Sequence, residues 1–327
     1  MAVPRFKRWR RAIRAGAIRA AISLLMRLPL GAALAIGAFL GRIGWYLAPR
    51  ARRAMRESLA VAFPEKSPAE RDAIGRASLV HLGMVAGEVV SMRSWEHRIE
   101  EYVHVSPETL ARVKRARASG NGIVMVKGHI GNWELTRRLT PYVQPCAAIA
   151  KRSWHPKLDE LTERFREAGG LATLWREDAA TARNMLRVLK NGGALAILID
   201  QDTNVQSVFV PFFGHLAATP RGAADLALRF GATVLLITCR RRGPRRGAGH
   251  VLEAVEVPFD ADAPDREAEV LRLTAACTAL QESAIRANPA EWVWMHQRWK
   301  TQPEAASDQA NAVPEIRSVS RGVARPL

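Results

Sequence analysis

The residues Lys127-Gly128-His129-Ile130-Gly131-Asn132-Trp133-Glu134-Leu135 combine side-chain types and a spacing that can do chemistry. His129 stands five positions before Glu134. On a regular helix that separation turns two side chains to different faces. Here the stretch follows a short apolar run, Gly122 to Val126, which reads as a buried strand. Asn132 is a good N-cap, so His129 falls in the preceding loop and Glu134 in the first helical turn, where the two can meet. A carboxylate against one imidazole nitrogen fixes the tautomer and stabilises the imidazolium, and the other nitrogen can then take a proton from a hydroxyl. No Ser or Cys sits in a nucleophile-elbow pattern, so the expected reaction is a direct transfer assisted by a base.

The surrounding elements have to bring that loop and turn together. Glu57 to Met92 reads as helix, broken in two by Pro64 and Pro68, with a capped start at Ser67 to Glu70. Pro156 to Ala168 is a helix stopped by Gly169-Gly170. Ala179 to Lys190 is another, ended by Asn191-Gly192-Gly193. Ala194 to Ile199 and Thr233 to Cys239 read as strands, with Arg221 to Phe230 a helix between them. Val251 to Val257 alternates and is expected at a sheet edge. Asp265 to Arg286 is a long helix. Strands alternating with helices predict an α/β fold.

The net charge is +18, with 49 Lys and Arg against 31 Asp and Glu. No acid precedes Glu57, and 13 of the basic residues lie at or before Arg56, which leaves +5 for the rest. Charge of this sign favours an anionic partner. A nucleic-acid reader would carry its cations on the folded domain among aromatics; here they flank an apolar segment, Ala15 to Pro49. Its longest uncharged run, Leu28 to Gly41, is 14 residues, short of the roughly 20 that a span needs. A single span with snorkelling arginines and a helix lying in the interface both suit it, and the cluster Arg5 to Arg14 would meet anionic headgroups. Buried packing as a helix pair is the alternative. A cleaved signal peptide is excluded by the long basic region and the missing A-x-A site. Cys146, Cys239 and Cys277 are far apart and read as buried thiols. The expected organisation is a basic arm over 1–56, a catalytic domain over 57–300 and a polar tail over 301–327.

His129 to Glu134 resembles the H-x-x-x-x-[DE] motif of the bacterial lipid A late acyltransferases, the lauroyl and myristoyl transferases. Four more segments resemble that family. They are Phe63-Pro64-Glu65 with Glu70-Arg71; Lys151-Arg152 with Pro156-Lys157-Leu158 and Arg164; Asp200-Gln201-Asp202 with Val208 to Gly214 and Ala218-Thr219-Pro220; and Pro289 to Lys300. Where the family often has Asn and Gly, this chain has His155 and Asn204. The resemblance implies a glycerolipid acyltransferase-like fold, a mixed central sheet flanked by helices, with a membrane-associated N-terminal helix. It implies an O-acyltransferase at the cytoplasmic face of the inner membrane, with acyl carrier protein as donor (acyl coenzyme A being the other donor) and a membrane glycolipid as acceptor.

In that reading His129 is the general base and Glu134 its orienting partner. Arg152 and Arg164 contact phosphate or thioester oxygen, suited by their forked donors, and Arg298 and Lys300 meet phosphate. Asp200 and Asp202 orient arginines near the substrate. With no nearby His they are not expected to bind metal, and no cofactor is expected. Phe209, Phe212 and Phe213 line an acyl channel or pack the core; His296 is structural. Acceptors such as a lysophospholipid, a phosphatidylinositol mannoside or an amino-acid lipid keep the same chemistry. A non-catalytic protein that binds membranes or nucleic acid is the reading from another class.

Overall fold

The computed structural model describes residues 26–153, 156–243 and 246–303, apart from the side chain of Leu158. The Arg5 to Arg14 cluster, His155 and the tail beyond Pro303 lie outside the described residues. Three helices come first: α1 (Leu30–Leu47), α2 (Pro49–Ala62) and α3 (Pro68–Val90). Pro49 and Pro68 sit at first helical positions, where a missing N–H costs no bond. Ser67 and Glu70 form a capping box, each side chain taking the other's backbone N–H.

Helices α1 and α3 run antiparallel and touch backbone to backbone. A Cβ on Gly83 would lie 2.0 Å from the Gly37 carbonyl oxygen, and one on Gly41 2.1 Å from that of Leu79. Only hydrogen fits at these crossings. On its outer side α1 exposes Ile36, Phe39, Leu40, Tyr46 and Leu47. Both helices are long and apolar enough to cross a membrane. The second one, α3, was expected only as a helix; its inner side carries buried polar residues, Ser78, His81 and Glu88, that tie it to the rest of the protein.

Next come α4 (Ile99–Tyr102), β1 (Val103–Val105), α5 (Pro107–Ala118), β2 (Ile123–Lys127) and a 3-10 helix over Trp133–Tyr142. After β3 (Cys146–Ala150), helix α6 (Pro156–Ala168) leads to β4 (Ala172–Trp175), and α7 (Thr181–Lys190) to β5 (Ala194–Leu198). A hairpin of β6 (Ser207–Phe212) and β7 (His215–Pro220) precedes α8 (Gly222–Phe230), β8 (Thr233–Arg241), β9 (His250–Glu256) and α9 (Arg266–Ala287).

Seven strands form one mixed sheet in the order β1-β9-β8-β2-β5-β3-β4. Strands β8, β2, β5, β3 and β4 are mutually parallel; β9 runs antiparallel to β8 and carries β1 parallel to itself. The strand expected at an edge, β9, is therefore interior, and β1 takes the edge. The central strands are buried on both faces, as parallel strands between helices must be. Ile123 and Met125 pack on one face with Leu135, Leu139 and Phe165. Val124 and Val126 pack on the other with Ala227, Leu273 and Cys277. A third cluster joins Trp45, Met55 and Leu59 of the first helices to Phe212, Phe213, Trp292 and Trp294.

Candidate active site

Strand β2 pairs with β5 from Ile123 against Ala194 to Lys127 against Leu198. Carried two residues past both ends, the same register sets His129 beside Asp200. One Asp200 oxygen accepts the His129 backbone N–H at 2.6 Å and the other lies 2.9 Å from His129 Nδ1. The Trp292 indole N–H adds a third bond at 2.8 Å. Burial opposes the charge on Asp200, but the His129 ring and these hydrogen bonds outweigh it and hold the carboxyl below the usual carboxylate range. An ionised carboxylate only accepts, so Nδ1 carries a proton, and Nε2 is the ring nitrogen that can take one from a substrate.

The His129 ring is about one-fifth exposed and lines a cleft of about 560 Å³ with Trp133, Arg166 and Gln201. The Trp133 ring meets it edge-on at 4.9 Å. The Gln201 side-chain nitrogen lies 3.2 Å from both nitrogens of the His129 ring and 2.5 Å from Nε2 of His296. Burial and the neighbouring His129 push His296 down to about 4, so it accepts as a neutral ring. Ile149, Met185, Ile197 and Leu226 supply apolar wall to the same cleft, and Lys151 and Arg176 supply cations.

Glu134 does not bond to His129. Its carboxylate, buried, is gripped by Arg166 in a two-pronged pair, Nε at 2.9 Å and Nη2 at 2.7 Å. Burial raises its pKa, but Arg166 more than cancels that and the net direction is downward. Behind the pair, Lys127 Nζ donates to the Trp133 carbonyl at 2.8 Å and to Thr136 Oγ1 at 2.6 Å; burial lowers it to about 8. Asn132 caps the turn as expected, its Oδ1 accepting the Glu134 N–H at 3.1 Å. The helix it opens is 3-10, with Pro141 inside.

The other expected site residues are dispersed. Arg152 pairs with Asp178 at 3.0 Å and lies over the Trp175 ring, next to the cleft residue Lys151. Arg164 pairs with Glu160 at 2.6 Å and lines a separate groove of about 710 Å³ with Phe165 and Val89. Asp202 accepts the N–H and hydroxyl of Thr301. Arg298 is 1% exposed and donates from its two terminal nitrogens to the Ala218 carbonyl and Thr219, so it binds the β6–β7 hairpin. Phe212 and Phe213 are core, while Phe209 borders a shallow surface hollow. The residue that sequence reasoning missed is Arg166, two positions beyond Arg164. Its signal was helix periodicity: Phe165 and Arg166 turn inward on α6 while Arg164 turns out. Among the described residues no group of three His, Cys, Asp or Glu is placed to hold a metal ion.

The family model for bacterial lipid A biosynthesis acyltransferases matches residues 4–301. The chain is 27% identical over 285 residues to the lipid A biosynthesis lauroyltransferase of Escherichia coli, covering 86% of this chain and 89% of that protein. It is 26% identical over 291 residues to the Escherichia coli lipid A biosynthesis palmitoleoyltransferase, covering 87% and 90%. A phosphatidylinositol mannoside acyltransferase of Mycobacterium tuberculosis is 26% identical over 251 residues, with 75% and 76% covered.

Proposed function

The chain belongs to the bacterial lipid A biosynthesis acyltransferase family and is an acyltransferase with a glycolipid acceptor; from that premise we propose that it moves a fatty acyl chain from an acyl carrier protein thioester to a hydroxyl of a lipid A precursor. The observation that carries the mechanism is the Asp200–His129 pair opening on a cleft with apolar walls and cationic flanks. Asp200 fixes the tautomer, and His129 Nε2 takes the proton of the acceptor hydroxyl as its oxygen attacks the thioester carbonyl. The tetrahedral oxyanion collapses, the C–S bond breaks, and the leaving thiolate takes the proton back from the imidazolium. Glu134 acts through Arg166: it holds the guanidinium at the cleft, where its charge stabilises the oxyanion. The apolar wall receives the acyl chain.

The basic arm and the exposed apolar face of α1 set the protein on the cytoplasmic face of the inner membrane, with residues 57–300 performing the chemistry. Clustered cations beside an apolar helix favour an anionic lipid surface. Donor competition at equal acyl length tests the donor: acyl carrier protein should exceed acyl coenzyme A by about tenfold in kcat/KM. Equal use, or preference for coenzyme A, rejects the carrier protein. Lipid mass spectrometry of a deletion strain tests the acceptor: a missing acyl chain on lipid A is expected, and loss from another glycolipid instead overturns the assignment.

A further inference from the structure

We propose that Glu88, on the inner side of α3, is a positioning residue for this reaction, holding the turn that carries His129 through the side-chain amide of Asn132. The proposal rests on the reading of His129 as the base. Glu88 has no exposed surface, and each of its oxygens is committed. Oε1 accepts from Tyr102 Oη at 2.6 Å, Arg241 Nη1 at 2.8 Å and His250 Nε2 at 2.9 Å. Oε2 accepts from Asn132 Nδ2 at 2.7 Å.

The Asn132 amide is thereby specified at both ends. Its nitrogen faces a carboxylate, which only accepts, and its oxygen faces the Glu134 N–H. Its backbone N–H donates to the Cys239 carbonyl at 2.9 Å. One residue back, Gly131 has φ +62°, and a Cβ there would lie 2.0 Å from the same Cys239 oxygen. The Gly131 N–H donates to the Glu291 carbonyl at 2.8 Å. The loop behind His129 is thus fixed from its far side, and Glu88 is the only charged contact to Asn132 among the described residues. A glutamine at position 88 would keep its oxygen toward the three donors at Oε1 and turn its NH2 toward the Asn132 NH2. Two donors would then face each other, and Asn132 could relieve the clash only by flipping off the Glu134 N–H or by moving the turn.

This donor–acceptor logic gives a reciprocal test. With lauroyl-acyl carrier protein and a lipid A precursor as probes, Glu88→Gln should lower kcat by about 10- to 100-fold, as small misplacements of reacting groups do, with donor KM changed less than about twofold. Asn132→Asp alone should be similarly poor, because two carboxylates would meet. Glu88→Gln/Asn132→Asp together restores one donor facing one acceptor and should recover kcat to within about threefold of wild type. Tyr102→Phe removes one donor from Oε1 and should lower Tm while leaving kcat unchanged. Hydrogen exchange at the Gly131 and Asn132 amides should speed up in Glu88→Gln and return toward wild type in the double variant. Full kcat in Glu88→Gln, or no recovery of kcat and exchange in the double variant, overturns the proposal. Absence of transfer by the wild-type protein would instead reject the underlying catalytic reading, and the exchange rates still decide whether Glu88 holds the turn.

Discussion

The carboxyl ends of β2 and β5 and the α1–α3 helix pair are both tightly fixed, by opposite means. At the strand ends, charged and polar groups far apart in the chain meet through short hydrogen bonds: His129 with Asp200, Asp200 with Trp292, Glu134 with Arg166. Between α1 and α3 no side-chain hydrogen bond occurs among the described residues, and glycines sit against carbonyls. The first region depends on chemical type, since each carboxylate is buried and relies on the donors that face it. The second depends on size, since any atom beyond hydrogen must displace backbone. Substitutions that keep shape and change chemistry should therefore damage the site, and those that keep polarity and change volume should damage the helix pair.

The largest effect is expected at the base. His129→Ala should lower kcat by about 10²–10⁴ in protein that still folds. Asp200→Asn keeps shape but no longer enforces the tautomer, and should approach the same loss, with the double variant little worse than His129→Ala. Steady-state rates alongside circular dichroism check this; full activity in folded His129→Ala protein rejects the mechanism. A comparable free energy, read as stability, is expected at the second pair. Arg166→Met leaves the Glu134 carboxylate buried without its partner and should cost about 3–5 kcal/mol in urea unfolding. If stability is unchanged, Glu134 has found water and the pair does not organise the turn.

A smaller effect involves pH. Burial raises Glu291 from 4.5 to about 7, with Arg241 only partly opposing it. A carboxyl raised on folding binds its proton more tightly in the folded state. Its contribution is complete below pH 4.5 and is lost as pH rises through about 7, amounting to about 3 kcal/mol. Melting curves across that window should show stability falling with pH, and Glu291→Gln should flatten the slope. The smallest effect separates the two regions most cleanly. Gly83→Ala adds one methyl against the Gly37 carbonyl and should cost about 1–3 kcal/mol by overpacking, with kcat retained in the fraction that folds. A neutral Gly83→Ala in thermal unfolding would mean that the helices separate without cost.

Much of this was legible in the sequence where the signal is local. The Ser67 and Asn132 caps each follow from residue type at one position, and the strand before Lys127 follows from a run of adjacent apolar residues. The short strands β1, β3 and β4 escaped because three to five residues, several of them alanine, carry too little periodicity. The site was half legible. His129 and Glu134 lie close in sequence and announce themselves. Their true partners, Asp200 and Arg166, are 71 and 32 residues away, and only the order and register of the strands and the packing of α6 decide those meetings. Arg298 was misjudged for a related reason: a cation near the chain's end reads as surface until a hairpin closes over it.

The alignment of β2 with β5 also sets where the chain tolerates a change of length. His129 meets Asp200 because both overshoot paired strands by the same two residues. Residues added between Trp175 and Thr181 alter the connection from β4 to α7, and the sheet can keep its alignment while the surface absorbs them. One residue added or removed between Ala194 and Asp200 is different in kind. It would bring Ile199 or Gln201 opposite the imidazole and turn the carboxylate to the other face of the sheet. The family's chemistry is in this sense written in a count of residues, and gaps in the alignment of distant relatives should avoid those seven positions while crowding the surface connections on either side.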